Sequence, residues 1–563
     1  MRRSLAIFLL TSVLVFSFSS GPSTSGTLAQ HKNNRPAKVA PVSLASQRGV
    51  DTISTAQLKD YLSFIASDEM EGRDTPSRGL DTTAKFLALN LSRWGFRPAG
   101  DDGSFLQKIA LSRDVIDKKE TQVQLNDQTL VLGDDYIPFA RPADLPASQL
   151  VFAGNGWLVK SKNIDAYKGV DAKGKIAVVF AAPNGLPQGV SSSDLSGKRG
   201  EDWMNAAEYA QKQGVVGIVT VPDFQYLANW DRNRTRMTER GTMKVDKFQP
   251  AAGAQIPQIV ISPRVANVLF QGERRNAVSL FESVSAGQFS EPFVLSADKK
   301  LSITVKVKSE AATTQNVVAV FAGSDPVLKN EYVALGAHYD HVGVGIPVNG
   351  DAIYNGADDD GSGTTALLAM AEALAKASVR PKRSVLFVWH AGEEKGLWGS
   401  RYFTDYPTIP LEKIVTQINI DMIGRSKKEG DTKPANRELS GPNQIYVIGS
   451  KVMSAELGEL VANVNRQYLN LTYDYRYDDP GDPNRFFFRS DHFNYARKGI
   501  PIVFFFDGEH EDYHRPGDSV DKIDFPKMEK VARTIYLTLW EVANRPARPK
   551  VDQQLPAQLL RRS

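Results

Sequence analysis

The sequence contains no cysteine among its 563 residues, which excludes a disulfide framework and a lipidated N-terminal cysteine. An excess of one charge sign is also missing. Sixty-eight Lys and Arg against 64 Asp and Glu leave +4, too small a balance to mark a nucleic-acid or membrane-surface binder. Histidine is scarce too: seven residues, six of them C-terminal to residue 337. What remains is an ordinary globular composition, 42% hydrophobic and 23% charged, in a chain long enough for two or three units.

Apolar runs of membrane-spanning length are lacking as well. Met1-Arg-Arg3 followed by the apolar stretch from Leu5 to Phe16 has the basic and hydrophobic regions of a secretory leader and is short for a span. Cleavage is expected after Thr27-Leu-Ala29, so 1–29 reads as a signal peptide and the product as secreted or periplasmic, with no membrane attachment after cleavage. Residues 30–50 read as a flexible linker. Leu58, Tyr61, Leu62 and Ile65 recur at helical spacing, as do Leu87, Leu91 and Trp94 before Gly95. The polar loop between them, Glu71-Gly-Arg73, reads as a turn or as part of a functional rim.

From about residue 122 the texture changes to short strands and turns, with a helix expected from Trp203 to Gln213 before Gly214. Residues 122–308 hold no histidine and no acids clustered at strand ends, so they are expected to form an inserted, non-catalytic β-rich domain. Between 309 and 544 apolar runs alternate with helical ones, which argues for a mixed, largely parallel sheet covered by helices. Three long connections, 342–357, 426–442 and 473–485, are expected to rim a substrate site, with Tyr473, Tyr475 and Tyr477 as pocket aromatics. The basic, Pro-rich tail, 545–563, reads as disordered.

The chemistry concentrates at strand ends. Tyr332-Val-Ala-Leu335 runs into Gly336-Ala-His-Tyr-Asp340; Val385-Leu-Phe-Val-Trp-His390 runs into Ala-Gly-Glu393-Glu394; Ile418-Asn-Ile420 delivers Asp421; and Ile502-Val-Phe-Phe-Phe506 is soon followed by Tyr513-His514. In open α/β sheets ligands bind at the carboxyl ends of the strands. Asp358, Asp359 and Asp360 precede a helix-like run, and such a cluster reads either as a solvated helix cap or as a cation site.

Taken in order, His338-Tyr-Asp340, Gly356-Ala-Asp-Asp-Asp-Gly-Ser-Gly363, Glu393-Glu394, Asp421-Met422, Ser490-Asp-His492 and Tyr513-His514 resemble the signature of the M28 family of zinc aminopeptidases. Residues 51–121 and 309–544 carry this resemblance. The insert resembles a protease-associated (PA) domain through Gly174-Lys-Ile-Ala-Val-Val179 and Ala206 to Gly217. The resemblance implies a zinc-exopeptidase fold and two Zn2+ ions, replaceable by Mn2+ or Co2+. His338, Asp359 and Asp421 would hold one ion, and Asp359, Glu394 and His514 the other. It further implies Asp340 as the carboxylate orienting His338, Glu393 as general base and Tyr513 as support for the oxyanion. His341, His390, His492 and His510 receive no metal role, and His492 reads as structural.

The implied activity is removal of N-terminal residues from peptides by metal-activated water. Other M28 chemistries, acidic carboxypeptidase or glutaminyl cyclase, are the alternatives within the family. A secreted calcium- or magnesium-binding protein is the alternative outside it. Two histidines among the ligands favour a transition metal over those hard ions.

Overall fold

The computed structural model describes residues 49–181, 185–195, 197–248, 256–288, 291–553 and 555. The expected leader and nearly all of the expected linker lie outside the described residues.

A ten-stranded mixed sheet organises one part of the fold. Its strands are β1 (Leu106–Ile116), β2 (Thr242–Val245), β3 (Val307–Phe321), β4 (Tyr332–His338), β5 (Ser384–His390), β6 (Ile414–Ile420), β7 (Gln444–Ile448), β8 (Thr472–Asp474) and β9 (Ile502–Phe506). They run in the order β2-β1-β3-β5-β4-β6-β9-β7-β8, and the short Arg97–Pro98 pairs beside β3. The central β5-β4-β6-β9 are parallel and the flanking pairs of β3 and β7 with them antiparallel.

Both faces of this sheet are covered, which is why its strands read as unbroken apolar runs. Val333, Leu335 and Ala337 of β4 with Val385, Phe387 and Trp389 of β5 face helices α1 (Thr55–Ile65), α3 (Gly361–Lys376) and α5 (Phe525–Asn544). The alternate residues Ala334, Leu386 and Val388 face Phe403, Phe493 and Tyr495. Helix α2 (Arg78–Arg93) and α4 (Ala455–Gln467) complete the first layer. Capping follows the sequence: Ser54, Ser77, Ser454 and Asp524 each accept a first-turn N–H with their side chains.

A separate nine-stranded sheet, built from strands between Gln122 and Val305, has its own core around Phe152, Phe180 and Phe270. The expected helix from Trp203 begins later. Trp203–Met204 pairs with Leu158–Val159, and the helix spans Ala206–Lys212 behind a capping box of Asn205 and Glu208. One piece of this region, β2, hydrogen-bonds to β1 of the ten-stranded sheet. The two sheets are bridged by β1 and β3, antiparallel neighbours from Leu106 opposite Val317 to Ile116 opposite Val307. Because β3 pairs with β5 only over 317–321, residues 307–316 and β1 form a ribbon that projects past the carboxyl ends of the parallel strands.

One other expectation is corrected. The described part of the tail is tied down: Arg545 and the Lys550 N–H bind Glu456, Arg548 binds Glu331, and Leu555 is buried. Basic residues that look solvated in sequence find acidic partners on the core. Among the described residues no helix is long and apolar enough to cross a membrane.

Candidate metal centre

The carboxyl ends of β4, β5 and β6, the loop before α3 and the loop after β9 converge on two groups of donors. His338, Asp359 and Asp421 form one; His341, Asp359, Glu394 and His514 form the other, each group with donor atoms within 4.8 Å of one another. Asp359 belongs to both.

The three successive acids before α3 have separate partners. Asp358 Oδ1 accepts the Gly424 N–H at 2.7 Å and its Oδ2 lies 3.4 Å from His510 Nε2. Asp360 caps α3 through Gly363 and also accepts the N–H groups of His338 and Met422, so it ties three segments together. Only Asp359 turns to the centre, and its backbone N–H is held by Asp518 at 3.1 Å. The cap reading holds for Asp360, which is buried rather than solvated, and Asp359 alone is left facing the candidate cation site.

Asp359 Oδ1 lies 3.2 Å from His338 Nε2, and Oδ2 lies 3.1 Å from His514 Nε2. Asp421 Oδ1 is 3.6 Å from His338 Nε2, while its Oδ2 accepts the Ser490 hydroxyl at 2.6 Å. Glu394 Oε2 is 3.0 Å from His514 Nε2, and Oε1 is 2.9 Å from His341 Nδ1. Donors bonded at about 2.0–2.2 Å to one tetrahedral ion stand roughly 3.3 Å apart. The spacings fit that figure. Asp359 Oδ2, Glu394 Oε1 and both nitrogens of His341 are buried without a hydrogen bond, as expected of atoms whose partner is a cation. Carboxylate and imidazole donors suit zinc or a neighbouring transition metal.

The electrostatics agree. Burial pulls the His514 imidazole down, but its close contacts with the Asp359 and Glu394 carboxylates lift it to about 10. Burial and the charge of Asp359 push Glu394 up, yet His341 and His514 hold it at about 2. Burial pulls His338 down as well, and Asp421, Asp340 and Asp359 raise it well above its ordinary value. Protons kept there are the ones a cation would displace. Burial, reinforced by Glu394, Asp421 and Asp491 against His338, pushes the Glu393 carboxyl well above the usual range.

Glu393 belongs to neither donor group, and its carboxyl lines a cavity together with His338, Asp359, Asp421 and Tyr513. Tyr513 stacks on His514 at 3.9 Å with planes 22° apart. The hydrogen-bond partner of His338 Nδ1 is the main-chain carbonyl oxygen of Asp340, at 3.1 Å, while the carboxylate expected to orient the ring stands at 3.7 Å through Oδ1. The apolar side of the cavity is made by Phe486, Phe504 and Phe506, not by the three expected tyrosines. Tyr473 packs on Phe505, Tyr475 on Tyr473, and Tyr477 between Tyr446 and Phe486.

Two residues were not given site roles by sequence. His341 sits in the second group, buried three positions beyond His338. Arg73, from the Glu71-Gly-Arg73 turn, is fully buried and donates to the carbonyls of Ile65, Tyr339, Asn355 and Gly356. Its guanidinium clamps the loop carrying His338 to the loop carrying Asp359. Gly72 has φ 64°, and a Cβ there would meet the Tyr354 carbonyl oxygen, so the turn requires glycine. His390, His492 and His510 lie outside both groups, against Asp491 and Tyr495, the Phe487 carbonyl, and Asp358 respectively.

Residues 316–539 match the model of peptidase family M28. That segment has the M28-family metallopeptidase fold, with an additional β-rich domain in the chain ahead of it. Leucine aminopeptidase 2 of Arthroderma otae is 31% identical over 210 residues, 36% of this chain. The match spans only about a third, 36%, of that relative's own length. Leupeptin-inactivating enzyme 1 of Streptomyces exfoliatus is 36% identical over 117 residues, 21% of this chain and 24% of that protein. Among solved structures, an aminopeptidase from Aneurinibacillus sp. strain AM-1 superimposes with a TM-score of 0.52 at 15% identity, covering 91% of this chain and 100% of that one. The likeness extends over the β-rich region as well as the M28 segment. The segment that matches the M28 model carries both sets of candidate metal ligands.

Proposed function

We propose that this protein is an exported aminopeptidase with two zinc ions, which removes N-terminal residues from peptides. His338, Asp359, Asp421, Glu394 and His514 hold the ions, with Asp359 shared. The peptidase part comprises 51–121 and 309–544, and 122–308 is a PA-like accessory insert. The single observation that carries the reading is that two donor groups share Asp359 while Glu393, outside both, opens on the cavity next to them.

Bound there, the ions supply Lewis-acid polarisation of a carbonyl and a water ionised near neutral pH. The rest falls to side chains. Glu393 takes a proton from water onto its carboxylate, hydroxide adds to the peptide carbonyl carbon, and Glu393 returns that proton to the leaving amine nitrogen as the C–N bond breaks. Asp340 holds Glu393 by accepting its N–H. The Tyr513 phenol donates to the carbonyl oxygen as charge develops on it. Phe486, Phe504 and Phe506 give the terminal side chain an apolar seat, which agrees with relatives named leucine aminopeptidase 2. Export rests on the basic and apolar opening of the sequence.

The test is a library of aminoacyl, N-acetylated and acidic C-terminal peptides presented to the purified protein with and without chelator. Chelator-sensitive release of free N-terminal residues, blocked by acetylation, supports the reading. Release from the C-terminus overturns the aminopeptidase assignment.

A further inference from the structure

Five ligands satisfy the two-ion reading, and the structure brings a sixth donor to them. We propose that His341 is a fourth protein donor in the Asp359, Glu394 and His514 group. One ion position then has four protein donors, whereas the His338, Asp359 and Asp421 position has three and keeps a coordination site for water and substrate. The inference rests on the two-ion reading and goes beyond it by making the two positions chemically unequal.

Three observations carry it. His341 is 0% exposed and neither of its ring nitrogens has a hydrogen-bond partner. The polar atoms facing it are carboxylate oxygens of Glu394 and Asp359, and a buried imidazole among carboxylates is where a cation is accommodated. Its backbone N–H donates to the Arg73 carbonyl at 3.2 Å, which ties its main chain to the Arg73 turn.

Second, the two imidazoles meet the same two acids, sharing Asp359 Oδ2 and taking opposite oxygens of Glu394, with one donor atom from each of the four residues within 4.8 Å of the others. His341 Nδ1 stands 2.9 Å from Glu394 Oε1 and 3.7 Å from Asp359 Oδ2, while His514 Nε2 stands 3.0 Å and 3.1 Å from carboxylate oxygens of the same two residues. These bracket the edge of roughly 3.3 Å expected around a tetrahedral zinc. The rings of His341 and His514 lie 5.5 Å apart at 74°, so they approach from different directions.

Third, the cavity distinguishes the groups. It is lined by His338, Asp359 and Asp421 together with Glu393, while in the other group His341 is fully buried and the His514 side chain is 36% exposed. Zinc positions with four protein donors are structural, whereas those with three keep a position open for reaction. The open group is the one beside Glu393.

The rival is a simple hydrogen bond from His341 to Glu394, and the count of bound imidazoles separates the two. The full chain is loaded with zinc and examined by X-ray absorption, with metal content measured alongside. Three imidazoles per pair of ions are expected, falling to two in His341→Gln and His341→Ala. In competition with a chelator, one zinc of each variant should weaken by more than the roughly 10–100-fold that losing a hydrogen-bonded neighbour of a ligand costs, the other staying unchanged. Two imidazoles per pair in the unaltered protein, or an unchanged count and affinity in the variants, overturns the proposal while leaving the two-ion reading intact. Fewer than two zinc ions in the unaltered protein overturns both, and the unaltered protein reports on either without relying on a variant that folds.

Discussion

The backbone N–H of Glu393 donates to Asp340 Oδ1 at 3.1 Å. The acid that begins the loop after β4 thus fixes the acid that follows β5, and the proposed base is positioned from a neighbouring strand rather than by its own turn. Replacing Glu393 by Gln keeps the shape of the side chain and the N–H to Asp340 but removes the proton acceptor. Turnover should fall about 10²–10⁴-fold, the usual share of a general base, with both ions retained. Metal analysis beside steady-state rates checks this, and near-normal turnover removes Glu393 from the mechanism.

Asp359 is the one residue common to both donor groups. Asp359→Ala should therefore weaken both ions, whereas Asp421→Ala should weaken one. Calorimetric zinc titration reads the difference directly. Equal loss of a single ion in both variants would show that Asp359 is not shared.

His492 offers a pH test outside the donor groups. Burial, opposed by the hydrogen bond to the Phe487 carbonyl and the charge of Asp491, takes its imidazole from 6.5 to about 3. The unfolded chain then binds a proton that the folded chain refuses, so the stability from this residue is complete above about 6.5 and is lost as pH falls towards 3. The loss amounts to about 1.4 kcal/mol per pH unit across that window. His492→Gln should flatten the acid limb of a urea-midpoint against pH profile between those limits. An unchanged slope refutes the assignment.

Arg73 makes four hydrogen bonds to carbonyls inside the fold. Arg73→Met leaves those oxygens and the nearby carboxylates without their cation, and breaking a buried charge arrangement from one side costs about 3–5 kcal/mol. The expected result is a lower unfolding midpoint together with weaker ion binding, since the loops of His338 and Asp359 lose their clamp. A midpoint within error of the unaltered protein would show that the clamp is dispensable.

Much of the core was legible because its strands are apolar on both faces and short, so that β4, β5, β6 and β9 announce themselves as runs and their ends name the residues that converge. The missed features share one cause, which is that their partners are remote in sequence. Arg73 reads as a solvated charge in a polar turn until Asn355 and Gly356, more than 280 residues away, arrive to accept from it. His341 follows Asp340 with no period or spacing to single it out, and only Glu394 and His514 give its ring a direction. The helix start at Asn205 was a different kind of miss, since Asn205 and Glu208 form a capping box at readable spacing. The expected role of Tyr473, Tyr475 and Tyr477 failed because phenol rings in a long connection can equally fill the core, and here they do.

The ribbon of β1 and the first part of β3 rises from the same border of the sheet that bears His338 and His390. With each residue of a strand adding about 3.4 Å, its projecting length carries what is attached to the tip beyond the sheet, on the side that bears the candidate ligands. Enlarging or trimming that attachment would alter how bulky a molecule can reach the ligands without altering the ligands, so selection for substrate size and selection for chemistry can act on different stretches of one chain.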